Sequence, residues 1–239
     1  MGKNKLARWA ELDTFKNVIQ PEQRLPDSCD HPVKGKWKQE IFRNENPIIL
    51  ELGCGRGEYT TGLSERFPEN NYIGIDIKGA RMWRGAKTAN EKQIPNAAFL
   101  RTRIEFITSF FAEDEVNEIW LTFPDPQTGK RNSNKRLTCP WFLNTYRKFL
   151  IDNGIINLKT DNEELFKYTR SLAEMNKLPL IRANSDLHGE NYPDDILSIR
   201  THYENIYIQE GKKIHFLSFR LMKNTIIEDG FSKPATSGD

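Results

Sequence analysis

The stretch "ILELGCGRGEYT", residues 49–60, decides the fold. Ile48, Ile49, Leu50 and Leu52 form a short apolar run of the kind a strand buried on both faces carries. It gives way at once to Gly53, Gly55 and Gly57, and then to a helical pattern over "GEYTTGLSERF". A glycine-rich turn between strand and helix lets a nucleotide-like ligand approach the backbone closely. Glu51, just before the glycines, is the unusual part.

Outward from this unit the chain keeps alternating. Strands are expected over 47–53, 71–77, 97–102, 116–123, 154–160, 178–184 and 212–222. Helices are expected over 57–67, 80–93, 103–111, 140–151, 162–176 and 201–211. Pro140 suits a first helical turn, Asp161 is available as the cap of the helix after it, and Gly211 suits a helix end. Such alternation argues an α/β fold: a parallel sheet with covering helices, binding its ligand beyond the carboxyl ends of the strands. The domain is expected over 47–222. Residues 1–46 are polar with several prolines and read as an extension with one short helix over 5–11. Residues 223–239 read as a polar, frayed tail.

The totals narrow the class. In 239 residues, 35 basic side chains face 33 acidic ones, so a nucleic-acid site must be a local patch. Cys29, Cys54 and Cys139 form no CxxC pair and read as free thiols in a reducing cytoplasm. The amino terminus lacks the apolar core of a signal peptide, no run nears the ~20 apolar residues of a membrane span, and the four histidines are scattered, so no metal is expected.

The acids carry the chemistry. The glycine spacing is G-x-G-x-G, not the dinucleotide G-x-G-x-x-G, and Glu51 would repel a pyrophosphate. It would instead attract the sulfonium and ammonium of S-adenosylmethionine, whose carboxylate can sit at the helix amino terminus. Asp76, closing the second expected strand, can accept the ribose hydroxyls. Asp125 lies between two prolines after the fourth strand, which stiffens its backbone and stands it at the sheet edge. Beyond it Lys130, Arg131, Lys135 and Arg136 surround Asn132, Ser133 and Asn134 with no acid among them. Beside an active site this is a phosphate-contacting strip. Lys3, Lys5 and Arg8 form a second basic cluster. A methyltransferase for a small molecule or protein would leave the strip unexplained. A non-catalytic RNA-binding module would leave Glu51 and Asp76 unexplained.

The pieces "ELGCGRGEY", "GIDIKGARMWRGAK", "FPDPQTGKRNSNKRL", "LKTDNEELF" and "THYE" resemble, in order, the bacterial tRNA (guanine-N7-)-methyltransferases. The resemblance implies a class I, Rossmann-like methyltransferase fold: a seven-stranded sheet, mostly parallel with its last strand antiparallel, and helices on both faces. It implies S-adenosylmethionine at Glu51, Gly53, Gly55, Asp76, Ile77, Arg103, Ile104 and Asp125, with Asp125 also catalytic. It implies substrate guanosine at Lys130, Asp161, Thr201, Tyr203 and Glu204, and tRNA along Arg131, Asn132, Ser133, Asn134, Lys135 and Arg136. A cytoplasmic monomer or homodimer is expected. Two positions depart from the family pattern. Arg103 stands where an Asp or Asn is common, which leaves a backbone contact to adenine, and the lysine of D-P-W-x-K comes one place later, as Lys130. For the carboxylate that holds the guanine edge, Asp125 is the first candidate and Glu204 the second.

Overall fold

A computed structural model of the chain describes residues 2–21, 29–189 and 195–229. In β2 (Ile48–Leu52) the side chains of Ile48, Leu50 and Leu52 enter one hydrophobic core and Ile49 enters another. This two-sided burial recurs in β3 (Asn71–Asp76), β4 (Ala97–Arg101), β5 (Val116–Thr122) and β6 (Leu150–Thr160). It is why these strands read as near-continuous apolar runs. On one face the core is closed by α4 (Pro140–Tyr146), α5 (Glu163–Met175) and a 3₁₀ turn over Ile104–Ser109. On the other it is closed by α1 (Gly2–Leu12), α2 (Glu58–Arg66), α3 (Gly79–Glu91) and α6 (His202–Gln209).

The strand order is β1-β4-β3-β2-β5-β6-β8-β7, with β1 (Val18–Ile19), β7 (Leu180–Asn184) and β8 (His215–Leu221) completing the sheet. Only β8 runs antiparallel to its neighbours, β6 and β7. The order reverses at β2, flanked by β3 and β5, so the crevice beyond Leu52 is the topological switch point where such sheets bind ligands. The glycine turn packs tightly there. A Cβ on Gly57 (φ +69°) would fall 2.6 Å from the Phe99 ring, and one on Gly85 would fall 2.6 Å from the Arg56 carbonyl oxygen. Glycine at both positions lets α3 close against the turn.

The α/β class, the mostly parallel sheet and the antiparallel last strand agree with expectation; the strand count does not. The sheet has eight strands, because Val18 and Ile19 pair with Phe99 and Leu100 at its edge. Two residues give no readable period. Much of the stretch before β2 is built into the fold. Leu12, Val33, Trp37 and Phe42 are buried. Trp37 opens a π-helical turn (Trp37–Phe42), donates its indole N–H to the Phe110 carbonyl at 2.8 Å, and stacks on Phe111. The Glu115 carboxylate ties this turn down, accepting from the backbone N–H of Gly35 and of Trp37. At the other end Ile227 is buried and exchanges two hydrogen bonds with the Asn144 side chain, so the expected frayed tail is docked at least this far. Residues 230–239 lie outside the described residues.

Boundaries differ as well: the helix expected over 103–111 is the 3₁₀ turn Ile104–Ser109, and the strand expected over 212–222 is His215–Leu221. The helix expected to run to Ile151 stops at Tyr146, and β6 begins at Leu150, paired with Val116. The cap of α5 is Asn162, not Asp161: its side-chain oxygen accepts from the Leu165 N–H at 2.8 Å. Asn162→Ala should therefore cost about 1 kcal/mol in chemical denaturation. Asp161→Ala, which removes an ion pair to Lys212 at 3.5 Å, should cost no more than about 0.5 kcal/mol. Equal losses would contradict the cap.

Candidate active site

Glu51 sits at the switch point, 3% exposed. Its Oε2 accepts from the Thr60 N–H at 2.8 Å and from the Thr60 hydroxyl at 2.5 Å, and its Oε1 accepts from the Thr122 hydroxyl at 2.5 Å. Thr60 comes from the inner face of α2 and Thr122 from the end of the adjacent strand. Burial pushes the Glu51 carboxyl up from an ordinary 4.5 to about 7; the Thr122 and Thr60 hydrogen bonds oppose the shift and the nearby Asp76 charge adds to it. On the neighbouring strand β3, Asp76 secures the glycine turn. Its Oδ2 accepts from the Gly55 N–H at 2.9 Å and its Oδ1 from the Lys78 N–H at 2.7 Å. The N–H groups of Gly53 and Cys54 both reach the Ile75 carbonyl, which bends the turn over β3.

Two adjoining cavities open from this crevice. One, about 850 Å³, brings together Gly53, Asp76, Ile77, Arg103, Ile104 and Asp125, with an apolar wall from Leu137, Trp141 and Phe142. The other, about 290 Å³, brings together Glu51, Gly53, Gly55, Asp76, Asp125, Thr201 and Tyr203. Gly53, Asp76 and Asp125 line both. Gly53 has φ +79° and open space where a Cβ would stand, so the cradle over the turn exists because there is no side chain to fill it. A flat base against the apolar wall, a ribose at Asp76 and a cation near Glu51 match S-adenosylmethionine group by group. A pyrophosphate would meet the carboxylates of Glu51, Glu58, Asp76 and Asp125.

Asp125 is presented by a constrained loop. Phe123 and Gln127, on either side of the Pro-Asp-Pro unit, both have left-handed backbones (φ 49° and 47°). The Asp125 Oδ1 accepts from the Gln127 N–H at 3.0 Å.

Other expected residues lie elsewhere. Glu204 is fully buried and pairs with Lys159 Nζ at 2.8 Å and with the His188 ring at 3.1 Å. It does not line either cavity, and neither does Asp161. Thr201 lines the smaller cavity and also caps α6, its hydroxyl oxygen accepting from the Glu204 N–H at 3.2 Å. In the basic strip, Asn134 and Lys135 are exposed and line the larger cavity, and Asn132 and Ser133 are half-buried. Arg136 departs from the strip. It is 5% exposed, donates to the Pro126 carbonyl and the Glu164 carboxylate, and lies over the Tyr168 ring, where it braces the Asp125 loop against α5. The side chains of Lys130 and Arg131 lie outside the described ones. Thr60, Thr122, Tyr207 and Trp141 belong to the site without standing out in the sequence. Only Thr122 carries a signal there: it ends the strand that pairs with β2.

Residues 45–217 match the family model described as "Putative methyltransferase". The "tRNA (guanine-N(7)-)-methyltransferase" of Bacteroides fragilis (strain YCH46) is 50% identical over 221 residues, covering 92% of this chain and 87% of its own. That of Porphyromonas gingivalis (strain ATCC BAA-308 / W83) is 53% identical over 213 residues, covering 88% and 86%. The chain belongs to the tRNA (guanine-N7-)-methyltransferase family. The fold is also that of the solved 16S rRNA methyltransferase KamB, with a TM-score of 0.59 at 12% identity over 77% of this chain and 92% of that one.

In a member of this family the near-neutral carboxyl of Glu51 has a measurable consequence. A sulfonium bound beside Glu51 would stabilise the ionised carboxylate, so donor binding at pH 6.5 should release a proton and tighten as pH rises to 8. Calorimetry in buffers of different ionisation enthalpy reads this directly, and Glu51→Gln should abolish the release. Without ligand the sign reverses. The folded state holds a proton that the unfolded chain gives up, so this stability is full below about 4.5 and is lost as pH rises through about 7. Melting temperatures at pH 5.5 and 8 should lie closer together in Glu51→Gln than in wild type.

Proposed function

We propose that the protein transfers the methyl group of S-adenosylmethionine to N7 of a guanosine in tRNA, yielding 7-methylguanosine. The observation that carries the reading is the position of Asp125: of the two carboxylates that line both the cavity suited to the donor's adenosine and the cavity with Thr201 and Tyr203, Asp76 is tied to the Gly55 and Lys78 N–H groups of the glycine turn, and Asp125 stands exposed between the two. When bound, the donor supplies a methyl group on a sulfonium, which N7 takes up in line with its in-plane lone pair as the C–S bond breaks. N7 carries no proton, so no residue need act as a base there. The chain's task is to place the two reactants, which can account for much of the acceleration, and to stabilise the charge that the purine gains.

Glu51 and Asp76 hold the donor end. Asp125 accepts hydrogen bonds from the guanine N1–H and exocyclic amine. Because Glu204 is buried and paired with Lys159, Asp125 is the better of the two candidates for that edge. Thr201 and Tyr203 flank the base, and Asn134 and Lys135 meet the RNA. A guanosine in the variable loop, the target that the resemblance implies, exposes N7, whereas an RNA duplex hides it in a deep, narrow groove. As proposed, the reaction is cytoplasmic, since tRNA would be met there. Among the described residues no helix is long and apolar enough to cross a membrane. The test is incubation with unmodified tRNA and labelled donor, followed by nucleoside analysis. Label should appear in 7-methylguanosine, and its appearance in another nucleoside would refute the assignment.

A further inference from the structure

The basic strip lies on one side of the crevice. The opposite side carries cations that belong to no motif. Arg56, in the glycine turn, and Lys78 and Arg81, at the start of α3, line the smaller cavity with Asp125, Thr201 and Tyr203. Lys78 precedes the first residue of α3 and Arg81 lies in its first turn, three positions on, so both project from one side of the helix. That turn contains no acid. A helix amino terminus carries partial positive charge and favours anions, so both cations sit where the helix itself opposes them. Nor are they neutralised laterally. Some neighbouring cations have partners, Lys87 with Glu11, Lys92 with Glu65 and Arg103 with Glu105, whereas exposed Arg84, further along α3, enters no ion pair among the described residues. Among the described residues the side chains of Arg56, Lys78 and Arg81 enter no ion pair.

The cavity is thus graded in charge. Its floor is the buried carboxyl of Glu51, and its mouth holds exposed Arg56, Lys78 and Arg81 beside half-buried Glu58, whose carboxylate accepts from the His202 N–H at 2.7 Å. A nucleotide base reaching in toward Asp125 leaves its phosphates at the mouth. We propose that Arg56, Lys78 and Arg81 form a second RNA-backbone site. It holds the phosphates beside the target guanosine, so that tRNA bridges the crevice between this rim and the strip. The proposal rests on the reading that the substrate is tRNA. Anionic oxygen could also come from the donor's own carboxylate. Three cations exceed what one carboxylate needs, and exposure favours the polymer.

The test is the double variant K78Q/R81Q, both positions being exposed, against a control, K148Q/K177Q, which removes two cations outside the crevice. Unmodified-tRNA binding is measured from 50 to 200 mM KCl, and S-adenosylhomocysteine binding by calorimetry. Each phosphate left without its cation should reduce the slope of log K against log salt by roughly 0.7 to 0.9. K78Q/R81Q should thus flatten it by about 1.5 and weaken binding at 100 mM about ten- to a hundredfold, with S-adenosylhomocysteine affinity within twofold of wild type. The control should keep the wild-type slope. A wild-type slope in K78Q/R81Q overturns the proposal, and a wild-type slope with weakened S-adenosylhomocysteine binding reassigns the cations to the donor carboxylate. A wild-type protein that forms no 7-methylguanosine fails at the earlier step, the substrate itself.

Discussion

Asp125→Ala should lower turnover about a hundred- to a thousandfold, roughly 3–4 kcal/mol of transition-state stabilisation. The loss should fall on kcat, because Glu51 and Asp76, the donor's proposed holders, are left in place. The magnitude follows from preorganisation. Left-handed residues flanking a Pro-Asp-Pro unit store on the order of 1–3 kcal/mol each, and persist because the surroundings hold them. Arg136 is part of that hold, bonded to the Pro126 carbonyl and anchored on Glu164. In the proposed reaction the Asp125 carboxylate would therefore meet the purine without first being ordered. The melting temperature should hardly change, since Asp125 is exposed and, among the described residues, its side chain bonds only to the Gln127 N–H. Asp125→Asn should fail almost as badly: an amide keeps the shape but cannot neutralise the charge arriving on guanine. Single-turnover rates with excess enzyme measure this, and an alanine variant within a few-fold of wild type would remove Asp125 from the mechanism.

What is legible in the sequence follows the range of the forces involved. The β2–α2–β3 unit is legible because a strand buried on both faces writes its burial into consecutive residues, and Gly53, Gly55 and Gly57 mark a turn that side chains would block. Asp76 and Asp125 are legible for the same local reason: each ends an apolar run. The edge strand Val18–Ile19 is not, since its partner is 81 residues away at Phe99. Trp37 reads as part of a polar extension, and only the pocket formed by Phe110, Phe111 and Glu115 makes it core. The burial of Arg136 and of Glu204, which the sequence does not show, has one cause in both. A charge in a motif reads as exposed, and the partner that draws it inside, Glu164 or Lys159, lies in a different element. The rim cations are hidden in the sequence because Arg56, Lys78 and Arg81 come together only when α3 closes on the glycine turn.

Lys159→Met should cost about 3–5 kcal/mol, the usual result of removing one partner from a buried ion pair. Lys159 is the penultimate residue of β6 and is fully buried, as is Glu204. Besides the 2.8 Å pair to Glu204, its ammonium donates to the carbonyls of Leu197 and Ile199, both at 3.1 Å, and lies 5.4 Å from the Tyr59 ring centroid. Methionine fills the space but leaves a buried carboxylate without its cation and two carbonyls without a donor. In a chain of this length the melting temperature should fall by about 10 °C. The double variant K159M/E204L removes both charges and should recover most of the loss. The same ammonium ties residues 197–204 to the end of the sheet, and this segment carries Thr201 and Tyr203 to the cavity. A folded Lys159→Met protein should therefore show a raised KM for tRNA with donor affinity nearly intact, while Lys159→Arg should retain more of both stability and KM. A Lys159→Met protein melting within about 2 °C of wild type, well short of the shift expected for a broken buried pair, would mean that Glu204 finds its counter-charge elsewhere.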